Sequence, residues 1–253
     1  MPESPEPAPE TAPPPDVSPP AHLESRAVPW RHALAWYEDA LPLVKQRPAT
    51  WAMLAFLTLA TEFLLEAVPG FGPTLGKIVG PLVACGMLYA AAAADRGAKP
   101  QLLHAVTVFR APAPTILAIV AAGALTFAAE AFAAWWVADV NLLSPEPSAG
   151  ELSTTAIAGI YVIGILASLP LTFVPFLVLF ERVAPGAAFA ASWTGFVQNT
   201  QPLLVYAAVS LVLLGFGLLT MGIGLVLVLP LWAASSYAAW KDVFSVREPP
   251  TAG

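Results

Sequence analysis

Two stretches of this chain, from Leu152 to Phe180 and from Val183 to Trp240, contain no Asp, Glu, Lys or Arg. A water-soluble domain cannot cover its surface over such distances without charge. Runs of this length and apolarity are read as bilayer-spanning helices. The rest of the chain agrees. Of 253 residues, 57% are hydrophobic and 11% charged, with a mean hydropathy of +0.70, well outside soluble-domain usage.

A helix needs about 20 apolar residues to cross ~30 Å of hydrocarbon. This predicts an all-α polytopic membrane bundle of six transmembrane helices, with spans at about 48–68, 74–94, 114–138, 155–180, 202–220 and 222–240. Pro48 suits a helix start, and Pro69-Gly70-Phe71-Gly72-Pro73 forces a turn between the first two spans. Trp135 and Trp136 sit where an interfacial aromatic belt is expected. Pro170 and Pro175 predict kinks in the fourth span. The uncharged stretch from Leu203 to Ala239 is too long for one crossing, so it divides at Met221-Gly222-Ile223-Gly224 into a tight hairpin.

The six-helix domain is expected over residues 28–246. Residues 1–27 are rich in Pro, Glu, Ala and Ser, a composition that cannot bury enough apolar surface to fold. They are expected to form a disordered cytoplasmic tail. The segment lacks the basic and apolar regions of a cleaved signal peptide. Residues 247–253 form a short C-terminal tail.

Lys and Arg set the orientation. With the N-terminus in the cytoplasm, all 11 basic residues except Lys77 fall on the cytoplasmic side, as the positive-inside rule requires. Both termini are then cytoplasmic. The net charge of −6 opposes a nucleic-acid partner. The partner that composition does imply is the lipid bilayer, with other membrane proteins as further candidates.

A threefold pattern runs through the chain. Ala35 to Pro48, Leu102 to Pro114 and Phe189 to Pro202 each mix apolar and polar residues, reach a proline and enter an odd-numbered span. They are candidates for short interfacial amphipathic helices. The even-numbered spans share Pro81-Leu82, Pro170-Leu171 and Pro230-Leu231. One reading is an interfacial helix plus hairpin used three times; the other is that prolines gather at membrane boundaries.

The C-terminal half carries Pro185, Ala188, Ser192 and Asn199, then Pro202, then Pro230 leading to Ser236-Tyr237 and Trp240-Lys241-Asp242-Val243-Phe244. This pattern resembles a family of uncharacterised proteobacterial multi-pass inner-membrane proteins, a domain-of-unknown-function class. The resemblance covers roughly Trp30 to Val246. It implies a bacterial inner membrane and a six-helix architecture, and no particular chemistry.

Motifs for catalysis do not occur. There is no His-Glu-x-x-His, no Gly-x-Ser-x-Gly and no phosphate-binding loop. His22, His32 and His104 lie outside the predicted spans, and no metal-ligand spacing or cofactor motif is found. Cys85 is the single cysteine and reads as a small packing residue. The expectation is a non-enzymatic protein without a cofactor or metal.

Three carboxylates fall inside predicted spans: Glu62, Glu66 and Glu130. An acid in a bilayer is costly unless paired, protonated or hydrated, so these are candidates for an ion or substrate pathway. Glu62 and Glu66, four residues apart, share a helical face. Lys77 is a candidate structural ion-pair partner for Glu66 across the short turn. Two functions follow from these features. One is an envelope-related or scaffold protein; the alternative is a small transporter or proton- or cation-coupled permease. Asn199 and Gln201 precede the fifth span and read as capping or interfacial hydrogen-bonding residues.

Overall fold

The computed structural model of the chain describes residues 24–68, 72–142 and 153–245, with the backbone alone at 73, 74, 77 and 154. Most of the tail assigned to 1–27, and the segment 247–253, lie outside these residues. The described residues are helical and contain no strand: α1 His32–Lys45, α2 Pro48–Glu66, α3 Gly72–Asp95, a 3-10 helix Leu102–Arg110, α4 Ala113–Ala138, α5 Thr154–Ser168, α6 Val174–Leu179, α7 Pro185–Gln198, α8 Thr200–Leu219 and α9 Leu225–Val243.

Five stretches are long and apolar enough to cross a membrane: Pro48–Glu66, Ile78–Asp95, Ala113–Ala138, Thr155–Leu179 and Thr200–Leu219. They coincide with the first five expected spans. The stretch expected as a sixth span, at 222–240, forms the helix Leu225–Val243, which is not among the five. Its first half is strongly apolar, but Ser235, Ser236, Lys241 and Asp242 lower its mean hydropathy below that of the others.

Local chemistry explains most helix ends. Pro48 opens α2 where its missing N–H costs nothing. The Ser153 hydroxyl accepts from the Ala156 N–H at 3.2 Å and caps α5. Between α5 and α6 the α-helix gives way to a 3-10 turn at Leu169–Leu171, where Pro170 removes a donor. Between α8 and α9 the chain reverses on Met221 (φ 55) and Gly222 (φ 84), while the Thr220 hydroxyl accepts from the Gly224 N–H at 2.8 Å.

The three stretches expected to be interfacial helices are helical: α1, the 3-10 helix and α7. Each precedes a long helix, and together they mark one end of the bundle. Helix α1 packs along α9, α2 along α3 and α4 along α5. The largest buried side chains gather toward the α1 end: Trp36, Trp51, Phe173, Phe176, Leu177 and Leu203. The Phe176 and Trp240 rings stack at 5.5 Å and 11°, a favourable offset geometry. The opposite end leaves Phe63, Leu64, Trp136, Leu219, Met221 and Ile223 exposed. Apolar exposure on that scale suits hydrocarbon as the surrounding solvent.

Small residues let the helices close up. Gly76 and Gly80 of α3 face α2, against Leu65 and Glu62. Gly86 of α3 meets the backbone of the 3-10 helix at Ala105. Without a hydrophobic drive between helices in lipid, such contacts supply much of the association energy.

Candidate functional site

The three span carboxylates occupy the end of the bundle opposite α1. Glu130 on α4 is half-buried and packs over Gly164 of α5, where a side chain would collide with it. Glu62 on α2 is on an exposed face, yet its carboxylate lies against Gly80 of α3. Glu66 is exposed at the end of α2. Of the three, Glu130 shares a cavity lining with Tyr161 of α5. The candidate pair Glu66–Lys77 falls on a side chain outside the described residues.

Glu130 and Tyr161 also stand at one end of a cavity of about 520 Å³. Its walls come from α3, α4, α5, the turn at 169–172, α6, α8 and α9. Glu62 and Glu66 are not among its lining residues. Cys85 is, and its side chain is buried there.

Six of the hydroxyls along the cavity are hydrogen-bonded inside the protein. Thr126 donates to Ala122 O, Ser168 to Ile165 O, Thr172 to Ser168 O and Ser236 to Ala233 O. Ser210 shares a 2.7 Å hydrogen bond with the Tyr37 hydroxyl, and Tyr206 donates to Trp232 O at 3.4 Å. These hydroxyls therefore spend their donors within the protein. Burial, with the neighbouring Tyr206 adding to it, holds the Tyr37 hydroxyl far above the usual tyrosine range.

A second constellation, at the α1 end, was not singled out by sequence. Asp242, at the end of α9, accepts from His32 Nδ1 at 2.7 Å and Trp36 Nε1 at 2.9 Å, and forms an ion pair with Arg26. His32 and Trp36 are four residues apart on α1, so one helical face presents both donors. Burial alone would raise the Asp242 carboxyl. The bonds from Trp36, His32 and Arg26 outweigh it and hold the group below its usual value. Asp95, at the end of α3, accepts from Lys241 at 2.6 Å and Tyr237 at 2.9 Å. Adjacent residues of α9 thus tie down two different parts of the chain.

Asn199, between α7 and α8, is fully buried. It accepts from the Val28 N–H at 2.8 Å and donates to Arg26 O and Gly195 O, both at 2.9 Å. The Arg26 N–H donates to Val243 O at 2.8 Å. Residues 24–27, which the sequence boundary places in the tail, therefore run against the bundle. Asn199, expected to cap or hydrogen-bond at the interface, is the anchor of this segment.

Among the described residues, no group of three or more His, Cys, Asp or Glu could hold a metal ion. His104 sits in the 3-10 helix, where its Nδ1 accepts from the Gln101 N–H at 3.3 Å. Burial, then the nearby Arg96, lowers its pKa. Comparison with family models, curated proteins and solved structures finds no match.

Proposed function

We propose that the chain is a non-enzymatic, six-span protein of a bacterial inner membrane, with both termini cytoplasmic, acting as a scaffold or envelope-related component. The observation that carries this reading is the state of the cavity's hydroxyls. Thr126, Ser168, Thr172, Tyr206, Ser210 and Ser236 are all committed to internal hydrogen bonds. A permease needs polar groups near the midplane that exchange partners with its cargo; these already have partners within the protein. The polar networks of Asp242, Asp95 and Asn199 tie elements together and serve as structure.

The sixth span in this reading is α9, with Lys241 and Asp242 at the cytoplasmic boundary beside Arg26. The family resemblance carried by Asn199, Pro230 and Trp240-Lys241-Asp242 supports the same placement. The threefold unit is supported by the element order, a short helix followed by two long elements, and by one further parallel. Glu62 over Gly80 in the first unit matches Glu130 over Gly164 in the second.

A second reading, a proton- or cation-coupled permease, is favoured by the Glu130 carboxylate at the cavity wall. Reconstitution separates the two. Proteoliposomes carrying an internal pH dye and an imposed potential should show no proton, Na+ or K+ flux above protein-free vesicles. Flux that disappears in Glu130→Gln would replace the scaffold reading with the permease. Topology is checked by protease protection of tags on both termini, which should report the same side.

A further inference from the structure

We propose that the cavity between α3–α5 and α8–α9 is a binding site for one acyl chain of a membrane lipid. Its volume of about 520 Å³ lies inside the range of about 300–1,000 Å³ typical of ligand pockets. It is far larger than the ~30 Å³ that one water occupies.

The length of the site matches the ligand. Along α4 its wall runs from Ile119 to Glu130, about 16 Å at the helical rise of 1.5 Å per residue. That is roughly half of the ~30 Å hydrocarbon core, the reach of a chain from one leaflet. The polar end is at Glu130 and Tyr161, and the inner end is at Tyr206 and Ser236.

The chemistry of the walls selects the same occupant. Water or an ion needs several polar partners, and away from the polar end the wall hydroxyls are hydrogen-bonded within the protein. Ile119, Leu214 and Leu229 offer only dispersion contacts to whatever lies between them. Hydrocarbon asks for nothing else.

Access also favours lipid. Tyr161, at the polar end, is 41% exposed, so the site reaches the outer surface of the bundle. Around it α5 exposes Ile157, Val162 and Leu166, and α8 exposes Val212 and Leu219. On a bundle whose long helices are apolar outside, this surface meets acyl chains, and the cavity continues it inward.

The test uses the full chain in proteoliposomes containing phosphatidylglycerol with a diazirine midway along one acyl chain. After illumination, cross-links are mapped by peptide mass spectrometry. The site predicts adducts on Ile119, Leu214 and Trp232 as well as on the outward-facing Val212 and Leu219. Ala122→Trp fills the space from α4. By excluding the equivalent of about two methylenes it should lower the inner adducts about tenfold, leaving the outer ones unchanged. Gly123→Leu is the second filling variant should the first not fold. Wild-type adducts confined to Val212 and Leu219 overturn the proposal. So do inner adducts that persist undiminished in a folded filling variant.

Discussion

Gly86 of α3 touches the backbone of the 3-10 helix: a β-carbon at Gly86 would stand 2.5 Å from the Ala105 Cα and 2.9 Å from its N. Because the obstacle is backbone, no rotamer change can relieve it. Gly86→Ala should therefore push the 3-10 helix off α3 and cost about 3 kcal/mol, the upper end of overpacking penalties. Gly159→Ala on α5, where a β-carbon would meet nothing within 4 Å, is the control and should stay within about 0.5 kcal/mol of wild type. Melting midpoints in one detergent, at a fixed scan rate because such transitions are often irreversible, give the ranking. A Gly86→Ala midpoint at or above that of Gly159→Ala contradicts the contact.

The glycines under the span carboxylates should behave differently from each other. At Gly164 an added β-carbon would lie 2.8 Å from Glu130 Cγ, so the stem of the side chain must move. At Gly80 the near atom is Glu62 Oε1 at 2.7 Å, with Cγ at 3.3 Å, and a swing of the carboxylate suffices. Gly164→Ala is expected to cost about 1–2 kcal/mol and Gly80→Ala less than about 1. Adding Glu130→Ala to Gly164→Ala should recover part of the loss, because the two residues are in direct contact. A strictly additive double variant would mean that the carboxylate does not rest on that glycine.

The span pattern was legible because a bilayer imposes a length and a composition that survive without any knowledge of packing. The same logic counted α9 as a sixth span, although it is not among the five, and it did not reveal that Lys241 meets Asp95 of α3 and Asp242 meets His32 of α1. The carboxylates were legible as rare charges in apolar surroundings, but the seating of Glu62 on Gly80 and of Glu130 on Gly164 depends on how α2 meets α3 and α4 meets α5. The Asp242 cluster joins residues far apart in sequence, Arg26 and His32 with the end of α9. Its only local signal is the four-residue spacing of His32 and Trp36. Asn199 looked like a helix-end residue and is one, yet its strongest role is to hold a segment that composition had assigned to the tail.

Asn199→Ala should release that segment. The substitution strands the Val28 N–H and the Arg26 carbonyl, while the Gly195 carbonyl keeps the backbone N–H of residue 199. Leaving such groups unpaired costs about 1–3 kcal/mol each when they stay buried, less where water can reach them. The expected result is a drop of about 3 kcal/mol and faster tryptic cleavage at Arg26 and Arg31, with the C-terminal core intact. Asn199→Asp keeps the acceptor for Val28 and loses the donors, so it should fall between wild type and Ala. Unchanged cleavage at Arg26 in the Ala variant would show that the N-terminal segment is held elsewhere.

Asp242 gives the bundle an acid-labile latch. Its folded pKa lies below the ordinary value of 3.8 because the bonds from Trp36, His32 and Arg26 outweigh the penalty of burial. A group whose pKa is depressed on folding adds stability above its unfolded pKa and loses it as the pH falls through the folded value. The latch is therefore at full strength at neutral pH and weakens progressively below about pH 4. Asp242→Asn removes the charge at every pH. It should lower the melting midpoint at pH 7, and the gap to wild type should narrow as the pH is taken below about 4. Arg26→Gln takes away only the most exposed of the three partners and should have the smaller effect at neutral pH. A gap that stays constant down to pH 3 would show that the carboxylate charge is not what joins α1 to α9.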